Sequence, residues 1–163
     1  MKQLLIARHG YAESGSDDKQ RPLSTRGLKT VPLMGEFLCR QNLNVEAIIC
    51  SPAVRTLSTA HLLSQKLGLP TELISECASL YHATVDDLLT IIQQLNEEWS
   101  TVLFVGHNPS VTHTTNYLLT NPVHHFSPGS VAALEFTTTD RWFEINAHSG
   151  QLKFFASPNH FEK

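Results

Sequence analysis

Thr101-Val102-Leu103-Phe104-Val105-Gly106-His107-Asn108-Pro109 decides the fold of this chain. The run over 101–105 is continuous and apolar, which reads as a strand buried on both faces, as in a parallel sheet covered by helices on each side. Asn108 then offers a helix cap and Pro109 a first helical position, a favoured way to open a helix. The same grammar occurs earlier: 45–50 reads as a strand, and Ser51-Pro52 opens a helix with Val54, Leu57, Ala60, Leu63 and Leu67 on one face.

Working outward, 3–7 is a short apolar strand ending at Arg8-His9-Gly10, and 13–20 is polar and exposed. From Ser24 or Thr25 to about Gln41, Leu28, Val31, Phe37 and Leu38 fall at roughly helical spacing. Pro32 disturbs that helix at a cost of about 3 kcal/mol or a kink. Gly68-Leu69-Pro70 ends the second helix, and 71–74 reads as a third strand before a loop through Tyr81. Thr84 caps a helix carrying Val85, Leu88, Leu89, Ile92 and Leu95, and the helix after Pro109 runs to about Leu119. Beyond Pro128-Gly129, 131–136 and 143–148 read as strands, and Ser149-Gly150 turns the chain into a last strand over 152–155. Strands and helices alternating at this pitch predict an α/β fold: a three-layer α/β/α sandwich with a mainly parallel central sheet and antiparallel β-structure near the C-terminus. Residues 1–163 are expected to form one domain.

A content of 41% hydrophobic and 17% charged residues is ordinary for a globular chain, and a net charge of -3 argues against a nucleic-acid binder. Cys39, Cys50 and Cys77 have no CxxC spacing, so three buried, reduced thiols are expected rather than a disulfide framework or a zinc site. Nine histidines invite a metal reading, but His124-His125, His148 and His160 lack H-x3-H or HExxH spacing. The apolar run at the N-terminus is too short for a signal peptide and no stretch is long enough to span a bilayer, which places the chain in the cytoplasm, away from membranes. A monomer without metal or cofactor is expected.

Three strands thus end in groups of catalytic type: Arg8-His9-Gly10, Ser51-Pro52 with Arg55 close behind, and Gly106-His107-Asn108-Pro109. In open α/β sheets ligands bind at the carboxyl ends of the strands, so these groups are expected to meet in one crevice. Two arginines and two histidines, with no carboxylate in the same motifs, describe a pocket for a dianion. Arginine presents planar paired donors to phosphate oxygens, and helix N-termini add oriented dipoles. Two flanking arginines would repel a metal cation. An imidazole among phosphate-binding groups acts as a nucleophile, splitting hydrolysis into phosphoryl transfer to the protein and then to water.

Arg8-His9-Gly10, Arg21-Pro22-Leu23-Ser24 with Gly27, Ser51-Pro52-Ala53-Val54-Arg55-Thr56 with Thr59-Ala60, Leu80-Tyr81 and Gly106-His107-Asn108-Pro109 together resemble the histidine phosphatase, or phosphoglycerate mutase-like, superfamily, and more narrowly its small SixA-type branch. The resemblance implies a phospho-His9 intermediate, with Arg8, Arg55 and His107 binding and stabilising the phosphoryl group and Arg21 nearby. It also exposes a departure: where many larger relatives carry a proton-donating Glu in a Leu-x-Glu segment, or an Asp after the second catalytic His, this chain reads Leu80-Tyr81-His82 and His107-Asn108.

General acid catalysis commonly supplies about 100-fold to 10,000-fold, and an alkoxide leaves poorly without it. A phosphorylated imidazole leaves as a neutral ring and needs the acid less, so a phosphohistidine-bearing protein is the expected substrate. Glu13, Asp17, Asp18, Glu76 and His82 are read as solvated loop residues within possible reach of the site. The competing readings are a small phosphomonoesterase acting on a metabolite and a non-catalytic phosphate or phosphohistidine binding module.

Overall fold

β1 (Lys2–Arg8), β2 (Ala47–Cys50), β3 (Ile74–Glu76), β4 (Thr101–Gly106), β5 (Val131–Phe136) and β6 (Gln151–Ala156) form one six-stranded sheet in the order β3-β2-β4-β1-β5-β6. The computed structural model describes residues 1–123 and 125–162, so His124 and Lys163 lie outside the described residues. β3, β2, β4 and β1 run parallel, while β5 and β6 add antiparallel beyond β1. This is the expected α/β architecture, with the last strand at the sheet edge.

Because side chains alternate along a strand, each central strand feeds two cores. Leu4, Ile6, Val102 and Phe104 pack on one face against Leu88 and Ile92 of α3 (Val85–Gln93) and Val111 and Leu118 of α4 (Ser110–Leu118). Leu5, Ala7, Leu103 and Val105 pack on the other against Val31, Met34 and Leu38 of α1 (Thr25–Cys39) and Ala60 and Leu63 of α2 (Val54–Leu67). Every residue of β4 is buried, as its unbroken apolar run requires.

Ser24 is the cap of α1, its Oγ accepting from the Gly27 N–H at 3.1 Å. The helix then carries Pro32 in its interior. Ser24→Ala is expected to cost about 1 kcal/mol, because one N-terminal amide loses its acceptor; urea denaturation monitored by circular dichroism measures it.

Five expectations are corrected. The stretch 71–74 is not the third strand: Thr71–Leu73 is a 3₁₀ turn, and pairing with β2 starts only where Ile74 meets Ile48. The stretch 143–148 is not a strand either. Trp142–Glu144 is a 3₁₀ turn whose buried Trp142 plugs the core, its indole N–H donating to the Trp99 carbonyl at 2.8 Å. The helices after Ser51 and Asn108 open later than expected, with Ala53 and Pro109 at their caps. The buried faces differ as well: Leu28 is 55% exposed, and α2 buries Arg55, Thr56 and Thr59 in place of Val54, Leu57 and Leu67. All three cysteines are free, but Cys39 is exposed and Cys77 half-buried, leaving only Cys50 fully buried. Among the described residues no helix is long and apolar enough to cross a membrane.

Candidate active site

β2, β4 and β1 are neighbours and parallel, so their carboxyl ends open on one side of the sheet. There a cavity of about 450 Å³ is lined by Arg8 and His9 from the end of β1, Arg55 from the first turn of α2 and His107 after β4, with Asp18, Arg21, Tyr81 and His82 around them. All five residues expected at the site, Arg21 included, are brought together.

His9 is 8% exposed. Its Nδ1 lies 2.7 Å from the Gly10 carbonyl oxygen, an acceptor only, so Nδ1 carries the proton and Nε2 keeps its lone pair. Burial, with added repulsion from His107, Arg55 and Arg8 and partly opposed by the Gly10 contact, pushes its pKa down to about 3. The ring is therefore neutral at physiological pH. The backbone around it is fixed by two glycines. A Cβ on Gly10 would stand 2.5 Å from Val31 Cγ2. Gly129, at φ +84°, donates its N–H to the His9 carbonyl at 2.8 Å.

Arg55 is 5% exposed and spends its outer nitrogens locally. Nη1 donates to the Asp18 carbonyl (2.7 Å), and Nη2 to Asp18 Oδ2 (3.1 Å) and to His107 Nδ1 (3.3 Å). Since guanidinium only donates, His107 Nδ1 is the acceptor and its Nε2–H donates to Ser51 Oγ at 2.8 Å. Burial and the Arg55 charge push His107 down to about 4. The two imidazoles face each other with centroids 5.3 Å apart. Arg8 Nη1 donates to the Phe126 carbonyl at 2.8 Å, and burial lowers the pKa of this guanidinium. The Nε–H groups of Arg8 and Arg55 are buried without a partner among the described residues. Such donors are costly to leave unmade.

Asp18 is exposed, as expected, and is also the carboxylate at the centre of the rim. It accepts from Arg55, from Arg21 Nη1 at 3.0 Å and from the Tyr81 hydroxyl. These donors, Tyr81 first, hold its carboxyl far below the usual carboxylate range. Arg21 is also anchored through Nε to the Glu13 carbonyl at 2.7 Å. Sequence reasoning placed Asp18 only within reach of the site and read Ser51 and Asn108 as helix caps; the Asp18-x-x-Arg21 spacing on one short turn was the available signal for the first. Asn108 proves not to be a helix cap: it donates to the Phe126 carbonyl at 3.0 Å and accepts from Thr112 at 2.8 Å. Ser51 supports the His107 ring instead of capping α2. Among the described residues no group of three or more His, Cys, Asp or Glu is placed to hold a metal ion.

The family model of the histidine phosphatase superfamily (branch 1) matches residues 4–78, the part containing Arg8, His9, Arg21 and Arg55. The phosphohistidine phosphatase SixA of Escherichia coli (strain K12) is 32% identical over 113 residues, 67% of this chain and 69% of that protein. A solved structure of the protein histidine phosphatase SixA complexed with tungstate superposes with a TM-score of 0.84 at 25% identity, covering 98% of this chain and 99% of the other. A mycobacterial glucosyl-3-phosphoglycerate phosphatase shares the fold, with a TM-score of 0.69 at 15% identity over 96% of this chain and 99% of that one. Sequence and fold agree with the strand-end motifs, and the chain belongs to the histidine phosphatase superfamily.

Proposed function

We propose that the protein is a metal-independent phosphohistidine phosphatase, which takes the phosphoryl group of a histidine-phosphorylated protein onto His9 Nε2 and passes it to water. The observation that carries this reading is the His9 ring, held neutral with Nδ1–H on the Gly10 carbonyl, so that Nε2 is the nucleophile of the arginine-lined cavity. Arg8 and Arg55 bind the phosphoryl oxygens through their guanidinium groups, and Arg21 lies at the rim. His107 presents a neutral ring N–H that donates to Ser51 Oγ. Such fixed donors stabilise the charge of the transferring group without reorganisation.

The phosphohistidine substrate is supported by the similarity to SixA and by the chemistry of the rim. Asp18 is held ionised, so it has no proton to give an alkoxide. A leaving imidazole departs as a neutral ring once its distal nitrogen is protonated, so it places a smaller demand than an alkoxide on any donor at the rim. Asp18 and His82 are exposed at the mouth, which leaves the cavity open to a side chain presented by another protein. A cavity of about 450 Å³ also accommodates a metabolite ester, so the test is competitive. Phosphate release from a histidine-phosphorylated protein is expected to exceed that from any member of a phosphate-ester panel by at least about tenfold in kcat/KM. Comparable turnover of an ester would reassign the protein as a phosphomonoesterase.

A further inference from the structure

The cavity contains many nitrogens and few protons to give. His9 has committed its one N–H to the Gly10 carbonyl. His107 uses both ring nitrogens, one accepting from Arg55 and one donating to Ser51. The Tyr81 hydroxyl donates to Asp18, which raises its pKa, and Asp18 itself is held as the anion. Ser110 donates to the His107 carbonyl at 2.8 Å, and arginine does not release protons in proteins. One titratable cavity-lining side chain is uncommitted. His82 lines the cavity, is exposed, and has no hydrogen bond from its ring among the described residues.

The placement of His82 is built rather than incidental. Its φ is +57°, the left-handed region, and among the cavity-lining described residues it alone has that conformation. Such backbone persists only where the surroundings enforce it. Here the chain is pinned on one side by buried Leu80 and on the other by the Thr84–Asp87 capping box of α3. Between these anchors the His82 ring rests on Tyr81, with centroids 4.1 Å apart, and Tyr81 in turn meets the His107 ring edge-on at 5.5 Å. An unbroken aromatic wall therefore runs from His107 to His82.

We infer that His82 is the proton donor to the leaving group, a role that rests on His9 being the phosphoryl acceptor. The His9 Nε2 lone pair bonds to phosphorus as the bond from phosphorus to the leaving imidazole nitrogen breaks. That nitrogen keeps the electron pair, while the His82 imidazolium gives its proton to the distal nitrogen of the same ring. A neutral imidazole departs and His82 is left neutral. Water then attacks phospho-His9, the P–N electron pair returns to His9 Nε2, and the proton of the water moves to His82 as inorganic phosphate forms.

A series of aryl phosphates from p-nitrophenyl to phenyl tests this, because the need for a proton grows as the leaving group worsens. His82→Asn suits the left-handed backbone but has no proton to transfer. It is expected to lower kcat/KM for phenyl phosphate about 100-fold more than for p-nitrophenyl phosphate, steepening a shallow wild-type dependence. An equal loss across the series, or a wild type already as steep as the variant, overturns the assignment. Trapping of phosphate on wild-type His9 from p-nitrophenyl phosphate separates the two readings: trapping with an unchanged slope sinks His82 alone, and no trapping sinks the nucleophile beneath it.

Discussion

His9→Ala is expected to abolish covalent capture of phosphate and to lower phosphatase turnover by at least about 10⁴-fold, the scale seen when a nucleophile is removed from a catalytic unit. No neighbour can substitute for it. His107 has both nitrogens engaged, and Ser51 is tied to that ring. The shift of His9 has a direction that can be checked in the same experiment. Its folded pKa of about 3 lies below the ordinary value of 6.5, so the neutral, nucleophilic form persists as pH falls from 7 towards 4. Rapid-quench trapping of phosphoenzyme across this range is therefore expected to show no loss of capture centred on the ordinary histidine pKa. The same depression means that protonating His9 favours unfolding, so its contribution to stability is full above pH 6.5 and declines as pH falls towards 3. Capture that survives in His9→Ala, at unchanged stoichiometry, sinks the mechanism.

The parts of this fold that were legible in the sequence are those where one physical demand acts on adjacent residues. Burial on both faces requires an apolar run, and 101–105 shows it; a strand end facing a ligand requires polar groups at once, and Arg8 ends its strand while His9 and His107 directly follow theirs. Where a demand is met across the chain, the signal disappears. Asp18 meets Arg55 over a separation of 37 residues and Tyr81 over 63, and only its pairing with Arg21 is local. The face of α2 was misread for a related reason. Arg55 is buried to serve the cavity, Thr59 Oγ1 accepts from the Gly10 N–H at 3.0 Å, and Thr56 donates to the Ser51 carbonyl at 2.7 Å. A helix whose inner face builds a polar site breaks the apolar period by which inner faces are recognised. The stretch 143–148 deceived in the opposite sense, since Phe143 and buried Ile145, following the Trp142 plug, imitate the composition of a strand.

Arg55→Lys is expected to lower kcat/KM on p-nitrophenyl phosphate by about 10³-fold, although charge is kept, because the position demands a fork and not a point charge. The guanidinium holds the Asp18 carbonyl, the Asp18 carboxylate and His107 Nδ1 together at the wall of the cavity. A lysine ammonium has the protons for several of these partners but not the planar geometry that reaches them from one buried stem. Two consequences follow besides the loss of rate. Asp18 keeps Arg21 and Tyr81 but loses its link to the floor of the cavity. His107 loses the neighbour that, after burial, does most to hold it near 4, so an Arg55→Gln variant should move its titration upward, though burial keeps it below 6.5. Proton NMR of the His107 ring reads that movement independently of catalysis. A lysine variant within about threefold of wild type would show that Arg55 supplies charge alone, and a His107 titration that stays in place in the glutamine variant would show that the Arg55 charge does not act on that ring.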